Sequence, residues 1–384
     1  MDRNAMQALH GMLAPARTET LARELFWDQV TMYLESEARP ALRGVYEDRV
    51  RPALTKALGR APDRQEVAQA MLGEDANRFW HSLRTQSQRE ALEASRVVIV
   101  EQLDELTARA RARSNGPGSL ILDPDLRMPS YLGADVHLQA GGYHSETRPD
   151  DLTAGALYDR QITLGRMGAQ GWLNDDPGLS LAAWLAGRFP DLKPRRILEM
   201  GCTVGHTLAG FKTTFPAAEV HGIDVAAPVL RYGFARAASL GVDVHFHQQN
   251  AEETRFPNGS FDVVYSRILM HETSAEAAPR IFAECHRLLR PGGVMFHSDA
   301  PQFDELDTYA ASLRDWDTRF NSEPFMEGYY ALPLEAMFEQ AGFARGDIFR
   351  TFTPSLAVQR DAIDPKRSRT NGGRYFLAGA VKAG

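Results

Sequence analysis

The sequence predicts an α/β protein: a Rossmann-like, doubly wound, seven-stranded and mainly parallel sheet with an antiparallel last strand, preceded by an all-α amino-terminal domain. Three observations carry this. Apolar residues between positions 18 and 113 recur at steps of three and four, the period of a helix face. From residue 195 onward, short apolar runs alternate with amphipathic stretches at the pace of right-handed βαβ crossovers. Within that region Arg196–His206, R-I-L-E-M-G-C-T-V-G-H, is a buried strand, a glycine-bearing turn and a helix start, and an isolated acid, Asp224, closes the next strand.

In the amino-terminal part, Leu42, Val45, Tyr46, Val50, Ala53, Leu54, Ala57 and Leu58 mark one apolar face. Asp63 followed by Glu66 is a capping box opening a short helix, and a long helix is expected from about Asp75 to Arg113. It ends at S-N-G-P-G, a strong breaker, which sets the first domain at residues 1–118. Residues 119–190 form a connecting arm with helices and a lid: Pro124, Pro129, Gly133, Gly141, Gly142 and Pro149 interrupt its first half, and helix returns over Leu152–Trp172 and Ser180–Phe189. A long aperiodic stretch in a compact protein implies packing over something.

The third region, residues 191–384, holds the expected strands Arg196–Met200, Glu219–Asp224, Val242–Gln248, Phe261–Ser266 and Val294–Ser298. Helices are expected near Gly205–Phe215, Pro228–Leu240, Ala275–Leu289 and Leu332–Ala341. Ala344–Phe352 and Tyr375–Val381, joined without a clear helix, finish the sheet in antiparallel fashion.

Composition narrows the class. The chain has 384 residues, 43% hydrophobic and 24% charged, with a formal charge of −7. That is ordinary for a globular protein and argues against a general nucleic-acid binder, which presents a basic face. The two cysteines, Cys202 and Cys285, are far apart, so neither a disulfide framework nor a metal cluster is expected. His245 and His247 alternate on one strand without an evident third ligand, so no metal is expected there either. The absence of a basic-then-apolar leader and of an eighteen-residue apolar run gives a cytoplasmic protein with no membrane partner as the expectation.

The chemistry concentrates at the strand ends. Gly201 and Gly205 sit where the backbone must turn sharply and a ligand must approach without meeting a Cβ. A dinucleotide fold wants G-x-G-x-x-G so that pyrophosphate reaches the helix amino terminus. Here the pattern is G-C-T-V-G-H, and Glu199 just before it would repel pyrophosphate while attracting a cationic amino group. Asp224 follows Gly201 at nearly the spacing of a ribose-binding acid.

Together with L-E-M-G-C, the motifs G-I-D-V, Q-Q-N-A-E-E-T-R-F-P-N-G-S-F-D, F-D-V-V-Y-S and R-L-L-R-P-G-G make the chain resemble class I S-adenosylmethionine-dependent methyltransferases. It is most similar to the subgroup containing the ubiquinone/menaquinone-biosynthesis enzymes and many small-molecule methyltransferases. The resemblance covers about residues 195–300, more loosely to 381. It implies S-adenosylmethionine as cofactor, a small-molecule acceptor, and in-line methyl transfer to an O, N or S nucleophile. By position it implies that Glu199, Gly201 and Gly205 line the methionine moiety, that Cys202 and Thr203 in the same turn also contact the cofactor, that Asp224 holds the ribose, and that Val225 packs on adenine. Asn250 and Ala251 would meet the adenine edge, Ser266 and Arg267 would close around the sulfonium, and Tyr158 would face the cofactor carboxylate. Two departures stand out: Thr203 replaces a usual middle glycine, which predicts a wider or rotated turn, and Asn250 replaces an aspartate but can still accept.

Candidate general bases are His271, His144 and His297, because an imidazole titrates near neutrality. Glu272 is either a substrate ligand or a helix-start carboxylate. The aromatic-rich segment Pro301–Tyr330 is either a lid over the acceptor or a packed helical decoration. Lys366–Arg369 is solvated loop or an anion contact. The helical domain suggests a homodimer. Two other functions remain open at this stage: a non-catalytic sensor of the cofactor, and an NAD-dependent oxidoreductase, which the missing third glycine and Glu199 disfavour.

Overall fold

The computed structural model describes residues 7–165, 169–360 and 373–384; Lys366–Arg369 lies outside them. Its centre is one sheet, whose strands are β1 (Ser119–Ile121), β2 (Arg196–Met200), β3 (Glu219–Asp224), β4 (His245–Gln248), β5 (Phe261–Arg267), β6 (Leu289–Asp299), β7 (Ile348–Pro354) and β8 (Arg374–Val381). The order is β1-β4-β3-β2-β5-β6-β8-β7. Only β8 runs against the rest, pairing antiparallel with both β6 and β7. The sheet therefore has eight strands where the sequence predicted seven. The added strand is β1, three residues of the arm lying parallel to β4. A three-residue run after Gly118 has too little periodicity to be read as a strand; its partner defines it.

Both faces of the sheet are covered, which is why its central strands are continuously apolar. Ile197, Val220, Tyr265 and Phe296 pack on the side of helices Asp176–Arg188, His206–Thr214 and Ala227–Ser239. Leu198, Met200, Val264 and Met295 point the other way, against Ala278–Leu288 and Leu334–Gln340. Strand order reverses between β2 and β5, so the crevice of a doubly wound sheet opens at the carboxyl ends of these strands.

Residues 18–58 form one uninterrupted helical rod with two π-helical turns, Leu34–Ala38 and Tyr46–Val50. Each wide turn immediately precedes a proline-bearing segment, Arg39-Pro40 and Arg51-Pro52. A proline inside an α-helix loses its N–H and collides with the carbonyl four residues back. Here the amides of Arg39 and Arg51 reach the carbonyls of Leu34 and Tyr46, five residues back, and the added turn room lets the rod continue. The rod ends at Gly59 in the left-handed conformation. The expected apolar face is buried at Leu42, Tyr46 and Val50, but Ala53, Ala57 and Leu58 are exposed: beyond Val50 the helix runs clear of the core. The Asp63–Glu66 capping box is present. The single helix expected over 75–113 is two, Asp75–Glu101 and Leu103–Arg111, broken where Gln102 takes φ −114° and ψ 10°.

Two buried contacts join the rod to the rest. Glu24 receives both Arg160 Nε (2.7 Å) and Arg160 Nη2 (2.6 Å), and Ser95 Oγ donates to the same carboxylate at 2.8 Å. Tyr46 stacks on Tyr309 and Trp80 packs edge-on against Trp316, so the Pro301–Tyr330 segment is in part a seat for the amino-terminal helices. Glu24 and Arg160 are both essentially inaccessible to solvent. Removing one partner of such a pair leaves an uncompensated buried charge, at a cost of about 3–5 kcal/mol. Glu24→Gln is accordingly expected to lower unfolding stability by about that amount in a urea titration, whereas Asp63→Ala at the exposed cap should cost only about 1 kcal/mol.

Candidate functional site

A cleft enclosing about 1180 Å³, open solvent included, lies at the carboxyl ends of β2 to β5. Each strand delivers its following turn to the wall: Gly201–Thr203 after β2, Val225–Ala226 after β3, Gln249–Ala251 after β4 and Ile268–Leu269 after β5. Glu199 and Asp224, from adjacent strands, also face it. The arm closes the open side with Tyr131, Val136, His137, Tyr143 and His144, and Phe325 comes from the segment beyond β6.

The turn after β2 alternates left-handed residues, with φ of 70° at Gly201, 46° at Thr203 and 74° at Gly205. A Cβ at Gly201 would meet Leu269 at 2.6 Å, and one at Gly205 would meet the Phe246 ring at 2.7 Å. Thr203 thus takes a left-handed backbone conformation that a glycine would adopt without strain. The compensation is a hydrogen bond from the Thr203 amide to Asp224 Oδ2 at 3.0 Å. Asp224 Oδ1 accepts from the Ala226 amide at 2.9 Å, so one carboxylate ties the β2 and β3 turns together.

The two acids differ in protonation. Burial pushes Glu199 up to about 8, against the opposing hydrogen bonds from Thr207 and from Tyr265, the latter at 3.1 Å. Burial also raises Asp224, but its backbone donors limit that to about 6. Glu199 therefore holds its proton more firmly than Asp224 does. Arg267 lines the cleft, and its Nε is buried without a hydrogen-bond partner among the described residues.

Of the sequence candidates, Tyr158, Glu199, Gly201, Cys202, Thr203, Asp224, Val225, Asn250, Ala251, Arg267 and His144 all reach the cleft. Tyr158 stacks on His206 and meets Tyr143 edge-on. Asn250 Oδ1 already accepts from the Glu252 amide at 3.0 Å, which leaves its second lone pair for a ligand. Gly205 and Ser266 lie behind the wall rather than on it.

Two candidate bases sit away from the cleft wall. His297 is buried among core side chains, bonded to Ser266 Oγ at 2.6 Å and packed on Phe282; burial lowers it to about 4. His271 is also buried, with Nδ1 2.5 Å from Asp299 Oδ1. Burial lowers its affinity for a proton, but Asp299 outweighs that and raises it to about 9. The pairing with Asp299 favours the imidazolium form. His144 remains at the cleft, lowered by partial burial.

Sequence reading missed His137, Tyr131, His206 and Glu323. His137 bridges two carboxylates, with Nε2 2.7 Å from Glu272 and Nδ1 2.5 Å from Glu323. The attraction of both acids exceeds the burial penalty and keeps the ring protonated well above its ordinary range. Positions 137, 272 and 323 are too far apart for any spacing to have signalled this.

The sheet is doubly wound, with this turn after β2 and an acid at or near the end of each of the adjacent strands β2 and β3. Residues 197–293 match the family model described as a methyltransferase domain. Phosphoethanolamine N-methyltransferase 1 of Arabidopsis thaliana is 28% identical over 158 residues, 40% of this chain and 30% of that protein. Demethylmenaquinone methyltransferase of Thermus thermophilus is 33% identical over 100 residues, 26% of this chain and 44% of its own length. The chain thus spans less than half of either relative. Among solved structures, Haemonchus contortus phosphoethanolamine N-methyltransferase 2 in complex with S-adenosyl-L-methionine aligns with a TM-score of 0.42 at 18% identity, covering 59% of this chain and 60% of that one.

A β-branched residue at positive φ carries strain on the order of 1–3 kcal/mol. Thr203→Gly relieves it while adding backbone freedom to the unfolded chain, about 0.5–1 kcal/mol. The net expectation is unchanged or slightly higher stability by thermal unfolding. Gly205→Ala, forced against the Phe246 ring, should be clearly destabilised.

Proposed function

We propose that the protein transfers the methyl group of S-adenosylmethionine to a small-molecule acceptor, releasing S-adenosylhomocysteine. The observation that carries this is the pairing of Glu199 and Asp224 on neighbouring strand ends across a glycine turn. Asp224, held ionised by two backbone amides, is suited to accept from ribose hydroxyls. Val225 and Ala251 offer apolar faces to the adenine. Glu199 meets the cofactor ammonium, and the unpartnered Arg267 Nε is suited to its carboxylate, a better role for a cation than contact with a sulfonium.

Methyl transfer from a sulfonium is an in-line displacement with a neutral thioether leaving, so alignment is the main task. Holding the reactants in line can supply about 7–11 kcal/mol in favourable cases. The aromatic arm residues Tyr131 and Tyr143 and the facing Phe325 form the wall an organic acceptor would pack against, and the enclosure favours a small molecule over a macromolecule. His144 is the remaining imidazole positioned to take an acceptor proton. We read residues 1–118 as a helical domain, 119–190 as the arm and 191–384 as the catalytic domain. A homodimer is supported by exposed Phe26, Tyr33 and Phe79 on the helices, and light scattering that returns a monomer mass counts against it. Among the described residues no helix is long and apolar enough to cross a membrane. We place the protein in the cytoplasm on the strength of its two free, buried cysteines.

Calorimetry should detect S-adenosylmethionine binding, and Asp224→Ala should weaken it at least about tenfold, the loss of hydrogen bonds to a charged group. No heat of binding to folded protein sinks the assignment. Because Glu199 is protonated near neutrality and must ionise to meet an ammonium, binding should release a proton. Affinity is then expected to climb with pH, by at most about tenfold per unit, and to level off above about 8. Glu199→Gln should abolish that slope.

A further inference from the structure

His137, Glu272 and Glu323 take no part in the cofactor contacts above. They come from the arm, the turn after β5 and the segment after β6, yet each presents one ligand atom, and the three atoms lie within 4.8 Å of one another. His137 and Glu272 face the cleft. Glu323 is 2% exposed. Its Oε1 meets His137, whereas its Oε2 is buried with no hydrogen-bond partner among the described residues. Asn321 Nδ2 contacts Glu323 Oε1 at 3.3 Å, and Asn321 Oδ1 is likewise buried and unpartnered.

The count of donors and acceptors is unbalanced. His137 has at most two N–H groups and both already point at carboxylates. Buried oxygens left over need a positive partner, because an unmatched acceptor out of water is costly. The backbone around the cluster is also strained: His137, Leu138 and Ser322 all have positive φ, and the His137 amide donates to the Ser322 carbonyl at 3.0 Å. Such strain persists where the surrounding structure over-determines it.

We propose that His137, Glu272 and Glu323 form a binding site for a divalent cation of the first transition row at the side of the cleft closed by the arm. One imidazole with two carboxylates is a borderline-to-hard donor set, suited to Mn²⁺ or Zn²⁺. On binding, His137 gives up a proton to solvent and presents one nitrogen. Side-chain rotation then brings the three atoms to about 2.0–2.2 Å from the ion. The histidines His221, His245 and His247 on β3 and β4 do not form such a group: His221 and His247 bond each other at 3.1 Å, and His245 bonds Ser119 at 3.0 Å. Only one consequence rests on the methyltransferase reading: the ion would hold an acceptor oxygen and lower its pKa.

The test is a Mn²⁺ titration of the full chain followed by electron paramagnetic resonance. The expected result is one tightly held Mn²⁺ per chain with nitrogen coupling from a single imidazole. Glu323→Gln and Glu272→Gln should each weaken binding roughly 10–100-fold, and His221→Gln should leave it unchanged. The proposal fails if no Mn²⁺ binds below about 1 mM, if the signal lacks nitrogen coupling, or if the glutamate variants bind like the parent. Should Glu323→Gln not fold, as judged by circular dichroism, the parent spectrum and Glu272→Gln decide. Calorimetry with S-adenosylmethionine, with and without a chelator, separates the two readings. Cofactor uptake without Mn²⁺ uptake overturns the ion site alone, and the reverse overturns only the methyltransferase assignment.

Discussion

Asp159 is the constraint on which the rest of the molecule hangs. It is fully buried, yet four groups from different parts of the chain converge on it. His206 Nε2 lies at 2.7 Å, Tyr232 Oη donates at 2.8 Å, His10 Nε2 lies at 2.9 Å and Arg236 Nε at 3.4 Å. Burial alone would raise its carboxyl; Arg236, His10 and His206 instead hold it well below the usual carboxylate range. His10 accepts the Met12 amide on Nδ1, and its Nε2 lies within ion-pair distance of Asp159. The amino-terminal strand of chain, the helix Thr153–Gly165 and two helices of the sheet layer are thereby locked around one charge.

That lock sets the site. Tyr158, the preceding residue, presents its ring to the cleft against His206, and His206 opens the helix that follows the glycine turn. Arg160, the next residue, is spent on Glu24 in the amino-terminal rod. Three consecutive side chains thus serve the cleft, the hub and the pair with the amino-terminal rod. The helical region is therefore coupled to the floor of the cleft through contacts that tolerate little change, since each involves a charge with no water to replace its partner.

The cleft itself works by contrast between two acids on adjacent strands, one buried and one partly exposed. Asp224 has backbone N–H donors on both oxygens, which favour its ionised form; Glu199 has only side-chain hydroxyl donors, and burial favours its neutral form. In the proposed function, ionisation of Glu199 would couple cofactor capture to proton release, a linkage that the strand-end position of an acid does not reveal by itself.

The sequence alone determined the sheet, because apolar runs at βαβ spacing and a two-sided core leave few other topologies. It also determined the strand-end residues, since an acid after a buried run and a glycine in a turn are fixed by local geometry: Glu199, Gly201, Thr203 and Asp224 all reach the cleft. What depended on long-range contact was decided only by the tertiary structure. β1 is a strand solely because β4 lies beside it. His271 and His297 look like strand-end bases, but Asp299 favours the imidazolium form of the first and the core encloses the second. His137 and Glu323 meet across nearly two hundred residues of chain, a proximity that no local pattern encodes because burial and charge pairing act on distance in space.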